Sequence, residues 1–168
     1  MDGLTVPSPF RASFEVVPKV ECVNARGSGV RVSDDIVITA RHVVEQRGPC
    51  GIEGVPAEIA YNEPGKDFTA LRVPLGYGYR AIISCEGIKP GETYYALGYA
   101  NGGKPNVEPL IGTNQRDGNM VMLRGKVYKG MSGGGIFTTE GAFVAIINML
   151  HREADWAYVQ SLSTTYLC

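Results

Sequence analysis

The sequence predicts an all-β protein, and two observations carry that reading. Short apolar runs recur along the chain, as in Ile36–Thr39 and Phe143–Met149. Runs of this length, bounded by turn signals, are those of strands. Glycine, proline and asparagine punctuate the intervals, and the 22 glycines and 10 prolines supply a turn former between nearly every pair of runs. Many short strands with such spacing form a barrel or a sandwich. A chain of 168 residues suffices for one domain, or for two small lobes sharing an interface.

Taken in order, strands are predicted at Phe14–Val17, Gly29–Val32, Ile36–Thr39, Ala57–Tyr61 and Phe68–Val73. Further strands are predicted at Tyr94–Gly98, Asn119–Leu123, Gly135–Phe137, Phe143–Met149 and Trp156–Val159. Asp34-Asp35 and Asn101-Gly102-Gly103 are hairpin turns by composition. A short helical turn is expected at Ala40–Val44, and a short helix at Ser161–Leu167. The turn-rich stretch Pro74–Tyr79 begins the connection between two strand groups. No repeat or low-complexity segment is present.

Composition excludes several classes of partner. Sixteen basic residues against seventeen acidic ones leave a formal charge of −1, which gives no reason to expect nucleic acid or an anionic membrane. Met1–Pro9 lacks the charged and apolar regions of a signal peptide. No apolar run is long enough to span a bilayer.

The chemistry concentrates in Tyr128-Lys129-Gly130-Met131-Ser132-Gly133-Gly134-Gly135-Ile136-Phe137. A lone serine hydroxyl is a weak nucleophile and needs a base. The chain has two histidines. His42 follows the apolar run Ile36–Ala40, whereas nothing around His151 resembles a catalytic segment; it rims a pocket or is solvated. Between His42 and Ser132 lies Lys66-Asp67-Phe68-Thr69-Ala70-Leu71, an aspartate opening a strand-like run. Each motif alone has a plainer reading: a glycine turn or anion nest, a satisfied histidine, a turn aspartate. Together they stand in the order His, Asp, Ser, one of the known triad orders. Gly130-Met131-Ser132-Gly133-Gly134 also satisfies the G-x-S-x-G elbow of α/β-hydrolases. That fold needs an acid and then a histidine after the serine, and only His151 and Asp155 follow, in the wrong order.

The three segments resemble the T-A-x-H, D-x-A-L and G-x-S-G-G motifs of the trypsin/chymotrypsin-like serine protease superfamily. The similarity extends to compact DegP/HtrA-type domains and small viral serine proteases through Gly27-Ser28-Gly29-Val30 and His42-Val43-Val44, and covers roughly Ala25 to Val159. It implies a chymotrypsin-like fold of two six-stranded antiparallel β-barrels with the active site in the cleft between them. Residues 1–13 would be an N-terminal extension, 14–76 the first barrel, 77–90 the connection and 91–168 the second barrel.

The resemblance further implies a serine endopeptidase that works through an acyl-enzyme, with His42 as general base, Asp67 as its orienter and Ser132 as nucleophile. The N–H groups of Gly130 and Ser132 would form the oxyanion hole. Lys126, six residues before the serine, would lie at the base of the primary specificity pocket, with Asn148 and Met149 on the substrate-binding strand. No metal or cofactor is expected, and the partner is a polypeptide substrate. Met131 stands where digestive relatives place an aspartate, so activation by a trypsinogen-type ion pair is not expected. Val43 replaces a cysteine that many secreted relatives bridge. Cys22, Cys50, Cys85 and Cys168 are therefore expected as reduced thiols in a cytoplasmic protein, the host cytoplasm if viral. The expected role is a viral, phage or bacterial processing protease. The alternatives are a catalytically silent binding module or an esterase on the same fold.

Overall fold

The computed structural model describes residues 12–45, 47–101, 103–150 and 155–168. Seven strands make the first sheet: β1 (Lys19–Cys22), β2 (Arg26–Ser28), β3 (Val30–Arg31), β4 (Ile36–Thr39), β5 (Cys50–Ile52), β6 (Val55–Asn62) and β7 (Thr69–Arg72). Their order is β2-β1-β5-β6-β7-β4-β3, all antiparallel. The two ends of that order, β2 and β3, are joined through Gly29 alone. They are one bent strand, and the sheet closes into a six-stranded barrel.

The second sheet comprises β8 (Thr93–Ala100), β9 (Lys104–Ile111), β10 (Arg116–Asp117), β11 (Met120–Arg124), β12 (Gly135–Phe137), β13 (Phe143–Leu150) and β14 (Trp156–Ser161). The order is β10-β11-β14-β13-β12-β8-β9, and a further β11–β9 pairing closes it. With β10 a short spur, this too is a six-stranded antiparallel barrel, so the chymotrypsin-like architecture is the observed one. The only α-helix among the described residues is a single turn, α1 (Arg41–Val44).

Central strands such as β4, β7 and β12 are buried along nearly their whole length, and the buried side chains gather into two clusters. Val20, Val37, Ile38, Phe68 and Leu71 fill the first barrel and are continuous with Leu97, Phe137, Phe143 and Ile146 of the second. Leu110, Leu123, Met131, Ile136, Ile147 and Val159 fill the rest of the second barrel. Each such aliphatic or aromatic side chain contributes about 1.5–3 kcal/mol by leaving water. The shared core makes the two barrels one packed unit, which holds the cleft walls at a set separation.

Three expectations are corrected. Phe14–Val17 is not a strand: Ala12–Glu15 is a 3-10 turn, closed by Val17 N–H donating to Phe14 O. Its apolar residues still bury, and the oxygens of Val16 and Pro18 accept from Arg31 and Gly29 N–H before the regular ladder begins at β1. Strand β9 was not expected because Pro105 and Pro109 interrupt it. It pairs along β8 but meets β11 at a single residue pair, so the missing proline donors face an open edge. The cysteines are not reduced thiols. Cys22 bridges Cys50 across the β1–β5 pair, and Cys85 bridges Cys168. The second bridge spans a sequence separation of 83. In the chain-entropy model a loop of that length stabilises by about 4–5 kcal/mol. Cys85→Ser with Cys168→Ser should therefore lower Tm by several degrees or more, and intact mass should rise by two hydrogens per bridge on reduction. An unchanged mass would contradict both bridges.

Candidate active site

Strand pairing brings the histidine and the aspartate together. β4 and β7 pair with Thr39 opposite Thr69. His42 follows the end of β4, on α1, and Asp67 precedes the start of β7, so both side chains emerge at the same barrel end. The Asp67 carboxylate holds His42 twice. Oδ1 accepts the His42 backbone N–H at 2.8 Å, and Oδ2 lies 2.6 Å from Nδ1. An ionised carboxylate only accepts, so the proton of a neutral imidazole sits on Nδ1 and leaves Nε2 with a free lone pair. His42 keeps 44% of its side-chain surface exposed while Asp67 keeps 21%, so the ring faces the cleft and the carboxylate lies behind it.

Ser132 comes from the second barrel, in the loop between β11 and β12. It lines, with His42, Val43, Lys129, Gly130 and Met149, a cleft of about 660 Å³. Its Oγ donates to the main-chain oxygen of Asn148 at 3.0 Å. Asn148 sits where β13 shifts register against β14 between Ile147 and Met149. Such a bulge takes a residue out of the ladder and frees its carbonyl.

The peptide groups of the serine loop alternate in how they are held. The Gly130–Met131 peptide is bound at both ends: Gly130 O accepts from Ser28 Oγ at 2.9 Å and Met131 N–H donates to Tyr128 O at 3.0 Å. The Ser132–Gly133 peptide is too, through Ser28 N–H to Ser132 O at 2.8 Å and Gly133 N–H to Ile147 O at 2.7 Å. The peptides that precede each of these are held only by their oxygens, Lys129 O by Asn101 N–H and Met131 O by Gly134 N–H, both at 2.9 Å. A peptide is planar and trans, so fixing its C=O fixes its N–H in the opposite direction. Among the described residues, the N–H groups of Gly130 and Ser132 have no acceptor. Unspent backbone donors beside a serine are groups of the kind that can receive developing negative charge. Gly130 has φ +98°, and a Cβ there would collide with Tyr99 O. Glycine is what this conformation demands.

Each barrel braces the other's contribution. The Asp67 turn is tied to the second barrel by Asn148 Nδ2 donating to Asp67 O at 2.8 Å, and by Asn119 Nδ2 to Gly65 O and Lys66 Nζ to Thr164 O. The serine loop is tied to the first barrel through Ser28, whose carbonyl in turn accepts from Thr39 Oγ1.

Two sequence assignments shift. Lys126 is exposed and lies outside the cleft lining; buried Val127 lines it instead. A lysine ammonium loses more hydration on burial than this site returns, and the loop turns the apolar neighbour inward. Asn148 is fully buried rather than at the cleft rim, and acts from beneath through the two contacts above. Met149 lines the cleft and is 42% exposed. Met131 is buried in the second core. His151 lies outside the described residues. Ser28 and Asn101 were not identified as site residues. The Gly27-Ser28-Gly29 motif pointed to the segment, not to the task of its hydroxyl.

The trypsin-like peptidase domain matches residues 27–146, which include Ser28, His42, Asp67, Gly130 and Ser132 but end before Asn148 and Met149. The chain belongs to the trypsin-like peptidase family. It is accordingly a serine endopeptidase, a hydrolase whose substrate is polypeptide. Among solved structures, it is similar to the protease Rv3671c from M. tuberculosis in its active form, with 23% identity, a TM-score of 0.79, and coverage of 95% of this chain and 82% of that one. It is also similar to a serine endoprotease from Yersinia pestis, at 17% identity and a TM-score of 0.80, covering 94% of this chain and 64% of that one. The HtrA-type protease AlgW, solved with a decapeptide, gives 15% identity and a TM-score of 0.77, over 93% of this chain and 64% of that one. At these identities the likeness is one of fold. No curated protein sequence matches the chain significantly.

Proposed function

We propose that this endopeptidase works through a His42–Asp67–Ser132 triad and an acyl-enzyme intermediate. The observation that carries the reading is the double grip of Asp67 on His42, at 2.8 Å and 2.6 Å, which leaves Nε2 as the basic atom facing the cleft. When substrate binds, the Ser132 hydroxyl leaves Asn148 O and gives its proton to Nε2 as Oγ attacks the scissile carbonyl. The oxyanion is received by the N–H groups of Gly130 and Ser132. His42 then passes the proton to the departing amine, and water, deprotonated by the same nitrogen, hydrolyses the ester. In free proteases such hydrogen bonds are often formed only with substrate present. Covalent labelling of Ser132 by a fluorophosphonate, with peptide cleavage in the same preparation, tests the mechanism. Labelling without peptide cleavage would favour an esterase, and neither would mean a silent binding module.

The cleft also points to a substrate class. Arg26, Arg47 and Lys129 line it, and no acidic side chain lines it among the described residues, although the whole chain is slightly acidic. Glu21 stands opposite Arg26 in the β1–β2 register; none of Arg26, Arg47 and Lys129 takes part in an ion pair among the described residues. Polypeptides with acidic residues flanking the scissile bond are the substrates this arrangement favours. In a peptide-library digest, glutamate and aspartate should be enriched within a few residues of the cut. Arg47→Glu should lower the rate on such peptides by about three- to tenfold, with a weaker effect at high salt. A profile that ignores acidic residues would end this assignment. A viral, phage or bacterial processing role belongs to the same proposal. Two disulfides suit an oxidising compartment better than the reducing cytoplasm first expected.

A further inference from the structure

We infer that Ser28 is a positioning residue for the oxyanion donors, a role that rests on the triad reading above. Ser28 stands in the first barrel, at the end of β2, and is fully buried. All of its polar groups are engaged at the barrel junction. The Oγ donates to Gly130 O at 2.9 Å and accepts from Tyr99 N–H at 2.9 Å. The main-chain N–H donates to Ser132 O at 2.8 Å, and the carbonyl accepts from Thr39 Oγ1 at 2.8 Å. One residue of the first barrel thus holds the carbonyls of both residues whose N–H groups would bind the oxyanion.

The hydroxyl is the informative part. The main-chain bonds would survive any side chain that fits, but only a hydroxyl can donate to Gly130 O and accept from Tyr99 N–H at once. Tyr99 belongs to β8, and the next two residues lead to Asn101, whose N–H holds Lys129 O. The Ser28 hydroxyl therefore ties together the strand that fixes the peptide before Gly130 and the peptide after it. Gly130, at φ +98°, has the backbone freedom to let either peptide rotate. Without the hydroxyl, Gly130 O and Tyr99 N–H face each other across a buried gap with no partner. The Gly130 N–H is then held from one side only, through the bond from Asn101 N–H to Lys129 O, and its aim loosens. Substrate side-chain contacts along Met149 and Val127 lie elsewhere in the cleft and are untouched.

The test compares Ser28→Ala with wild type in the full chain. The wild type is first shown to cleave peptide and to be labelled by fluorophosphonate at Ser132; if it does neither, the protease mechanism fails, independently of Ser28. Removing one oxyanion donor outright costs about 10²- to 10³-fold in kcat. Loosening one should cost less, about 10- to 100-fold, with KM within about threefold of wild type. Affinity for a peptidyl boronate, whose tetrahedral adduct places an oxygen at the donors, should weaken by the same factor as kcat/KM. Ser28→Thr, which keeps the hydroxyl, should recover most of the boronate affinity. A Ser28→Ala protein with wild-type kcat, or one whose loss lies in KM with boronate affinity unchanged relative to substrate, overturns the inference. So does a variant that fails to fold, or whose activity falls only in step with its Tm, because Ser28 would then be a purely structural brace.

Discussion

Ser132→Ala is expected to abolish peptide hydrolysis, with kcat falling on the order of a million-fold. Among the described residues, the aliphatic hydroxyls beside the serine loop are already committed to other partners. Ser28 Oγ is buried and fully bonded, and Thr39 Oγ1 is buried and committed to Ser28 O. The fold should persist. The substitution removes one hydrogen bond, that from Oγ to Asn148 O, worth about 1 kcal/mol. The serine-loop peptides remain bound through their main-chain atoms, which the substitution leaves in place. Residual turnover would come from the oxyanion donors and substrate binding alone. The decisive measurement is peptide cleavage by purified variant and wild type, alongside thermal unfolding of each. More than about a hundredth of wild-type activity in a contaminant-free preparation would remove Ser132 as the nucleophile.

His42 and Asp67 could be read from the sequence because strand ends carry them. Both belong to apolar runs whose termini are marked, and Thr39 opposite Thr69 converts two distant sequence positions into one site. The barrels were readable for the same reason. Ile36–Thr39 and Gly135–Phe137 are strands with the bounds their patterns predict, since both are buried runs flanked by turn residues. What the sequence hid depends on register. Lys126 and Val127 differ by one position, and only the path of the loop decides which side chain enters the cleft. The role of Asn148 follows from a bulge in β13 that no local pattern announces. β1 and β2 were hidden because Lys19, Glu21 and Arg26 make their short runs look like surface loop. The disulfides depend on a β1–β5 pairing and on where the chain's last residue docks, neither of which cysteine spacing encodes.

Asp67→Asn should cost about four orders of magnitude in kcat while leaving substrate affinity and fold nearly intact. The reason lies in the two contacts the carboxylate makes. The His42 backbone N–H needs an acceptor at Oδ1, and Nδ1 at 2.6 Å from Oδ2 needs one as well. An asparagine offers one acceptor and one donor. If its oxygen keeps the backbone N–H, its NH₂ group faces Nδ1 and can bond only to an unprotonated nitrogen. The imidazole proton then moves to Nε2, and the atom that must take the Ser132 proton is already occupied. If the amide turns the other way, its NH₂ group confronts the His42 backbone N–H, two donors pointed at one another. The first orientation is favoured, so the variant holds a well-placed histidine in the wrong tautomer. Asn148 Nδ2 and the neighbouring turn contacts bind main-chain atoms of residues 65 to 67, so the loop stays in place. The imidazole ¹⁵N chemical shifts should show the proton on Nδ1 in wild type and on Nε2 in the variant, together with the loss in kcat. A variant within tenfold of wild type, or one that still carries its proton on Nδ1, would show that Asp67 does not set the state of His42.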